Sequence, residues 1–141
     1  MFRTILLATD GSENALRATE AAIDLIQEFS HPTVIVVHIA TSTPSQSRMV
    51  KAGFDVHALL EEDARQAARE TLERFEAAGI PYALKVALGD PVAEILAIAQ
   101  KESADLIVVG SRGLGAIRGV MMGSVSQKVA QTAKCPVMIV K

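Results

Sequence analysis

The chain has 141 residues, of which 50% are hydrophobic and 21% are charged, with a formal net charge of −2 at pH 7. These values predict a single globular α/β domain over residues 1–141 and argue against a nucleic-acid-binding protein. The apolar runs are far shorter than a membrane span or a signal peptide requires, so no membrane association is expected. A single cysteine, Cys135, cannot form an internal disulfide, which predicts a cytoplasmic protein.

Five short runs rich in leucine and β-branched residues alternate with helical patterns, which is typical of a parallel sheet. The runs cover about residues 3–8, 33–39, 82–88, 105–109 and 136–140. Near-continuous apolar stretches such as Val34–Val37 and Leu106–Val109 indicate strands that are covered on both faces. The predicted fold is therefore a doubly wound, Rossmann-like five-stranded parallel sheet with helices on both faces.

Four helices are predicted between these runs from the spacing of apolar residues and from end signals. They span residues 12–29, 55–78, a segment that begins at Pro91, and residues 124–133. The second helix is predicted to be continuous, with an inward stripe of Leu60, Ala64, Ala67, Thr71, Leu72 and Phe75. The largely polar segment 41–54, about 14 residues long, is predicted to form a loop, and loops of that length are usually functional or disordered.

The segment between the fourth strand and the fourth helix, from Val109 to Ser126, contains five glycines and two arginines. Glycine permits positive φ and a close approach of the backbone to a ligand. A helix that begins here would direct free N–H groups and the positive end of its dipole at an anion. The sequence Ser124-Val125-Ser126-Gln127 fits a capping box with Ser124 as the N-cap. The segment therefore predicts a phosphate-binding loop.

The spacing of Gly110, Gly113 and Gly123-Ser124 is G-x2-G-x9-G-[ST], which resembles the nucleotide-binding motif of the ATP-binding branch of the universal stress protein family. It matches neither of the commoner phosphate motifs. The chain has no G-x-x-x-x-G-K-[ST], and Arg118 stands where a dinucleotide fingerprint needs its third glycine. The resemblance extends to residues 5–12, 36–39, 89–91 and 135–140.

The resemblance implies the strand order 3-2-1-4-5, which right-handed crossovers permit. The winding then reverses between the first and fourth strands, so their carboxyl ends form the expected ligand edge. The resemblance further implies that an adenine nucleotide, ATP or AMP or ADP, binds across this edge with Mg²⁺ near Asp10. The implied binding residues are Ala8, Thr9, Asp10, Ile39, Val109, Gly110, Arg112, Gly113, Gly123, Ser124, Val125 and Ser126.

Roles within this set also come from the resemblance. Ile39 would contact adenine, partly through its backbone, and Asp10 would lie near the ribose and the metal-bearing phosphates. The three residues Gly110, Arg112 and Gly113 would border the ribose and α-phosphate. The four residues 123–126 would donate backbone N–H and hydroxyl groups to the β- and γ-phosphates, and for this role the helix N-terminus supplies a physical mechanism.

Structural interpretations of the same residues stay open at this point. The glycine-rich segment could be a plain connection, Asp10 could begin a turn with Gly11, and Arg112 could be a solvated loop residue. His38 is expected to be a packed or surface residue, and the three histidines lack the spacing of a zinc site. Cys135 is expected to be a small buried apolar side chain.

These observations predict an ATP-binding universal stress protein that acts as a regulatory or protective module in the stress response. At most slow ATP hydrolysis is expected and no catalytic residue is assigned, because the chain lacks a Walker lysine and Asp10 is the acid nearest the loops. Three alternatives remain. They are a protein-interaction module with a vestigial nucleotide site, a slow enzyme of the adenine-nucleotide hydrolase-like fold, and a phosphoryl-accepting receiver domain. Residues 9–14 hold one glycine, whereas the hydrolase would carry a Ser-Gly-Gly-x-Asp-Ser-like phosphate loop there. They hold one aspartate, whereas a receiver domain would need clustered acids after the first strand.

The last strand, Val137–Val140, has no polar alternation, and the order 3-2-1-4-5 places it at a sheet edge. A bare apolar edge invites uncontrolled pairing. The sequence therefore predicts a homodimer through strand 136–140, an arrangement that the family resemblance also implies. The alternative is a monomer in which residues 115–122 or the fourth helix cover the edge, and a further protein partner is left open.

Overall fold

The computed structural model describes residues 2–111 and 123–141, which form five strands and six helices. In chain order these are β1 (Thr4–Ala8), α1 (Glu13–Gln27), β2 (Thr33–Ala40), α2 (Gln46–Lys51), α3 (Val56–Ala67), α4 (Arg69–Ala77), β3 (Ala83–Leu88), α5 (Pro91–Lys101), β4 (Leu106–Gly110), α6 (Ser124–Thr132) and β5 (Val137–Val140). Within these residues, every helix is too short or too polar to cross a lipid bilayer.

The five strands form one parallel sheet in the order β3-β2-β1-β4-β5, so the predicted fold and strand order are confirmed. β1 lies at the centre, where Leu7 pairs with Val36 of β2 and with Val108 of β4. Because the winding reverses between β1 and β4, the carboxyl ends of these two strands flank the opening that ligands occupy in this class of fold.

Helices cover both faces of the sheet, as predicted, and each face carries its own apolar cluster. On one face α1 and α4 pack against side chains of β1, β2 and β4 such as Leu7, Val36 and Val108, and α3 lies against β2 and β3. On the other face α5 and α6 pack against Leu6 and Ile107. These strand residues are fully or almost fully buried, which explains why their sequence is apolar without alternation.

Side chains at the starts of α1 and α5 fix where these helices begin. Ser12 Oγ accepts a hydrogen bond from the Ala15 N–H at 3.2 Å, so the first helix begins one residue after its predicted first residue. Asp90 accepts from the Ala93 N–H at 2.9 Å, and Pro91 occupies the first helical position as predicted.

The prediction of one continuous helix over residues 55–78 is wrong, because the structure divides this segment into α3 and α4 at Ala68. The hydrogen bonds from Ala68 N–H to the Ala64 oxygen (2.8 Å) and from Leu72 N–H to the Ala68 oxygen (2.9 Å) bridge the division, which is therefore a local distortion. Five of the six residues predicted to face inward, Leu60, Ala64, Thr71, Leu72 and Phe75, are buried as expected. Ala68 is buried, whereas Ala67, which was predicted to face inward, is exposed and turns its carbonyl towards Gly11.

Residues 41–54 were predicted to form a loop, and this is wrong for the six residues of α2. Ser45 caps the helix by accepting from the Arg48 N–H at 3.3 Å. At the other end Gly53 adopts φ 63° and its N–H donates to the Val50 oxygen at 3.1 Å, which is a common way for a helix to stop. Both end signals lie in the sequence, but the polar composition between them concealed the helix.

Candidate functional site at the carboxyl edge of the sheet

Thr9, the first residue after β1, is held by hydrogen bonds from all of its polar groups. Its N–H donates to the Val37 oxygen at 2.9 Å, and its carbonyl oxygen lies 3.2 Å from Nδ1 of His38. Because a carbonyl oxygen only accepts, His38 must carry its hydrogen on Nδ1. The Thr9 hydroxyl is buried, accepts from the Gly11 N–H at 3.2 Å and lies 3.4 Å from the Thr71 hydroxyl.

Asp10 follows Thr9 and begins a turn, as one of the structural interpretations proposed. Its Oδ1 accepts from the Ser12 N–H at 3.0 Å, and Gly11 adopts φ 80°. A Cβ at Gly11 would lie 2.5 Å from the Ala67 oxygen, so both the conformation and the contact require glycine. The turn thus places the partly exposed Asp10 carboxylate beyond the end of the central strand.

Gly110 at the end of β4 meets helix α1. A Cβ there would lie 2.8 Å from the Asn14 carbonyl oxygen and 2.9 Å from its carbon, both of which are backbone atoms. Packing of α1 against β4 therefore requires glycine at a position that the sequence motif assigned to the nucleotide. The next residue, Ser111, extends the β4–β5 ladder by donating its N–H to the Val140 oxygen at 2.7 Å.

The capping box predicted with Ser124 as N-cap is wrong, because the N-cap of α6 is Gly123. The Gly123 N–H donates to the Ser111 oxygen, which joins the helix start to the end of β4. Ser126 is 2% exposed, and its hydroxyl lies within hydrogen-bond distance of the Gly123 oxygen (2.9 Å) and the Ser111 oxygen (3.1 Å). The single Ser126 hydroxyl hydrogen is thus directed at backbone oxygens, and it is not oriented towards a phosphate.

The N-terminus of α6 keeps the properties of an anion site despite this shift. Its first intrahelical hydrogen bond runs from the Gln127 N–H to the Gly123 oxygen at 3.1 Å. The N–H groups of Ser124, Val125 and Ser126 therefore lack an acceptor inside the helix, and among the described residues no side chain caps the helix. The Ser124 side chain is exposed beside them. Such an end attracts negative charge.

The backbone of Ile39 faces the same edge. Val37 accepts from Thr9 on the β1 side, whereas Ala40 accepts from the Gly89 N–H on the β3 side. Because successive residues of a strand direct their main-chain groups to opposite sides, the N–H and C=O of Ile39 point to the β1 side. β1 ends at Ala8, which pairs with Val37, so the Ile39 groups lie past its paired part.

The sheet therefore brings most of the predicted residues to one place. Continuing the register of β1 past Leu7 and Ala8 sets Thr9 and Asp10 beside Gly110 on one side and Ile39 on the other. Ala8 and Val109 lie inside strands, and Val109 is 4% exposed. Arg112 and Gly113 fall outside the described residues.

Metal-ligating side chains are sparse at this edge. Within residues 2–111 and 123–141, no three histidine, cysteine, aspartate or glutamate side chains group together in a way that could hold a metal ion. Cys135 is half-buried at the foot of β5, and burial raises the pKa of its thiol.

Two features near the site were not predicted from the sequence. His38 and Thr71 both bond to Thr9, although His38 was expected only to pack or face solvent. A groove of about 590 Å³ lies between α1 and the α3–α4 junction, behind Gly11, with Leu16, Ala67 and Thr71 in its lining. These contacts join residues far apart in the chain, and no local pattern announces them.

Helix α2 is fastened to α3 near the same edge. Both guanidinium nitrogens Nη1 and Nη2 of Arg48 donate to the Asp63 carboxylate, at 3.0 and 2.8 Å. The hydrogen bond from Arg48 holds the pKa of Asp63 below its usual value. Both side chains are about two-fifths exposed, so the pair restrains α2 without a large contribution to stability.

The two serines at the start of α6 should respond differently to removal of their hydroxyls. Ser126→Ala loses a buried hydrogen bond and should lower the free energy of unfolding by about 1 kcal/mol. Ser124→Ala removes an exposed hydroxyl and should change it by less than about 0.5 kcal/mol. Urea denaturation of both variants measures the difference, and equal losses of stability would contradict the assigned hydrogen bonds.

The chain resembles known proteins over its whole length. The Universal stress protein family matches residues 1–141. A universal stress protein of Thermus aquaticus, encoded in the QAH/OAS sulfhydrylase 3′ region, is 38% identical, and the match covers 100% of both chains. The solved structure of MJ0577 from Methanocaldococcus jannaschii has a TM-score of 0.79 at 26% identity, covering 100% of this chain and 96% of that one. A universal stress protein solved in complex with cAMP has a TM-score of 0.70 at 30% identity, covering 99% and 97%. The chain belongs to the universal stress protein family.

Proposed function

We propose that this protein binds an adenine nucleotide at the carboxyl edge of its sheet, ATP with Mg²⁺ in the first place. We further propose that it acts as a nucleotide-dependent regulatory or protective module in the cytoplasmic stress response. The observation that carries the proposal is the start of α6, where Ser124, Val125 and Ser126 have N–H groups without helical acceptors next to the end of β4, the strand beside β1. The relative solved with cAMP supports an adenine nucleotide as the ligand class.

Each part of the nucleotide has a matching group at this edge. The start of α6 would bind phosphate oxygens through backbone N–H groups and the Ser124 hydroxyl, while the Ser126 hydroxyl stays on the Gly123 and Ser111 oxygens. Ile39 would bind adenine through its N–H and C=O, because the adenine edge offers one acceptor and one amino donor side by side. This backbone mechanism needs no particular side chain at position 39.

Magnesium fits the same arrangement through Asp10. Mg²⁺ usually keeps several waters and takes one or two carboxylates together with phosphate oxygens, so one aspartate beside a triphosphate is sufficient. The N-terminus of α6 carries only a partial positive charge, so it compensates part of the phosphate charge, and the ion would neutralise the rest. Gly123 and Gly113 would border the phosphates as the family resemblance implies, and Arg112 would add positive charge.

Rapid hydrolysis is not part of the proposal. Phosphoryl transfer needs positive charge on the γ-phosphate and a group that orients the attacking water. Asp10 is already bonded to the Ser12 N–H, and the sequence has no Walker lysine. Nucleotide occupancy is thus the proposed signal, with turnover slow enough for the bound state to persist.

Calorimetric titration should show ATP binding in the micromolar range that strengthens with Mg²⁺. Asp10→Asn keeps an acceptor for the Ser12 N–H but loses the charge, so it should reduce the effect of Mg²⁺ on ATP affinity and leave AMP affinity nearly unchanged. Asp24→Asn, on the exposed face of α1, is the matched control and should bind like the unaltered protein. ATP at 100 times its dissociation constant should stabilise the fold by about 2.7 kcal/mol.

Two results would reject this assignment. Absence of binding heat and of thermal stabilisation at millimolar ATP would favour the alternative of an interaction module with a vestigial site. Equal losses of AMP and Mg-ATP affinity in Asp10→Asn would place Asp10 at the ribose, away from the metal.

We also propose a homodimer through β5. In the described sheet β5 is an edge strand, and all four of its residues are half-buried rather than covered. Pairing of two copies about a two-fold axis would cover this edge in both subunits.

Light scattering at micromolar concentration tests the dimer. A species of twice 15.0 kDa is expected, and Met138→Lys should convert it to a monomer by placing a charge on the edge strand. Thermal unfolding of the variant checks that it remains folded. A 15.0 kDa species for the unaltered protein would refute the dimer, and a dimer that survives Met138→Lys would place the interface elsewhere.

A further inference from the structure

Three buried threonines from three elements form a line of hydrogen bonds behind the Asp10 turn. Thr9 follows β1, Thr19 lies in α1 and Thr71 lies in α4, and their side chains are between 0% and 5% exposed. The Thr71 oxygen lies 3.4 Å from the Thr9 oxygen and 3.0 Å from the Thr19 oxygen. Such a line inside an apolar core is costly unless every hydroxyl is satisfied.

The hydrogens of this line can be placed in one way only. Thr19 donates its single hydroxyl hydrogen to the Ala15 oxygen at 2.8 Å, so Thr71 must donate to Thr19. The Thr71 hydrogen is then used, so Thr9 must donate to Thr71. Thr9 in turn accepts from the Gly11 N–H. The line of hydrogen bonds therefore begins at the Gly11 N–H beside Asp10 and passes through Thr71 of α4. It ends at the Ala15 oxygen in the first turn of α1.

Thr71 is the member of this line that comes from a distant element, α4, and the last residue of α3 reaches the turn through a second contact. The Ala67 carbonyl at the α3–α4 junction lies so close to Gly11 that a Cβ there would be 2.5 Å from its oxygen. Thr71 thus fixes the residue before Asp10, and Ala67 confines the residue after it. Neither group belongs to the ligand edge itself.

We propose that Thr71 is a positioning residue for the nucleotide and its metal, acting through Thr9 on the Asp10 carboxylate. The proposal rests on the nucleotide-binding function proposed above. Without the Thr71 hydroxyl, the buried Thr9 hydroxyl loses the acceptor that lies 3.4 Å away, and we expect this to loosen the Thr9–Gly11 turn that carries Asp10.

Three variants separate positioning from simple support of the core. Thr71→Val has nearly the same shape and removes only the hydroxyl function, Thr71→Ser restores it, and Leu72→Ala damages the same helix at a buried apolar position. For each variant, calorimetry gives the ratio of ATP affinities with and without Mg²⁺. Hydrogen exchange of the Gly11 amide, measured by NMR relative to global unfolding, reports the turn without any ligand.

Thr71→Val should reduce the Mg²⁺-dependent gain in ATP affinity about tenfold and accelerate Gly11 exchange by a similar factor, while AMP affinity changes less than about twofold. Thr71→Ser should restore both quantities. Leu72→Ala should lower the unfolding temperature more than Thr71→Val, and it should leave both quantities near those of the unaltered protein.

An unchanged affinity ratio or unchanged Gly11 exchange in Thr71→Val would overturn the proposal, as would equal effects in Leu72→Ala. If the unaltered protein binds no adenine nucleotide, the proposed function fails separately. Gly11 exchange in Thr71→Val against Leu72→Ala then decides whether Thr71 positions the turn.

Discussion

The carboxyl edge of this sheet depends on the hydrogen bonds of one residue, Thr9. Its amide, carbonyl and hydroxyl groups bond to Val37, His38 and the Gly11–Thr71 pair, so the first residue past the central strand is tied to β2, to the turn before α1 and to α4. A backbone group at the end of a strand has lost its ladder partner and would otherwise turn to solvent. Because Thr9 is held, the following Asp10 has a defined position beside β4 and β2.

Close backbone contacts add a second constraint at the same edge. Gly11 admits the Ala67 carbonyl, and Gly110 admits the backbone of Asn14. Both glycines let helices approach the strand ends more closely than any side chain would allow. A glycine in a ligand motif can thus have a packing requirement of its own, and loss of binding after its substitution would not by itself identify a ligand contact.

The sequence predicted the features that repeat along the chain or have local signals. Strand positions, sheet order, the two helical faces and the start of α5 at Pro91 followed from apolar runs, from the family resemblance and from end signals. The α6 cap was misassigned by one residue because Gly123 and Ser124 are both acceptable N-caps, and contacts of Ser126 decide between them.

Other features had no local signal. The bonds of His38 and Thr71 to Thr9 join residues that are 29 and 62 positions apart, which periodicity cannot detect. The division of the second helix at Ala68 also had no local signal. The polar composition of residues 41–54 concealed α2. No mechanism for Ile39 could be inferred from the sequence, because the relevant groups are main-chain atoms whose direction depends on the end of the neighbouring strand. Roles of Arg112 and Gly113 stay predictions.

A crystal structure of the protein with Mg-ATP tests the central claim most directly, because it shows whether the nucleotide lies at the carboxyl edge of the sheet. We expect the phosphates on the N–H groups at the start of α6, the ion between them and Asp10, adenine against the Ile39 backbone, and the Thr9 hydrogen bonds unchanged. Nucleotide bound instead in the 590 Å³ groove between α1 and the α3–α4 junction, or a Thr9–Gly11 turn that rearranges on binding, would contradict the account.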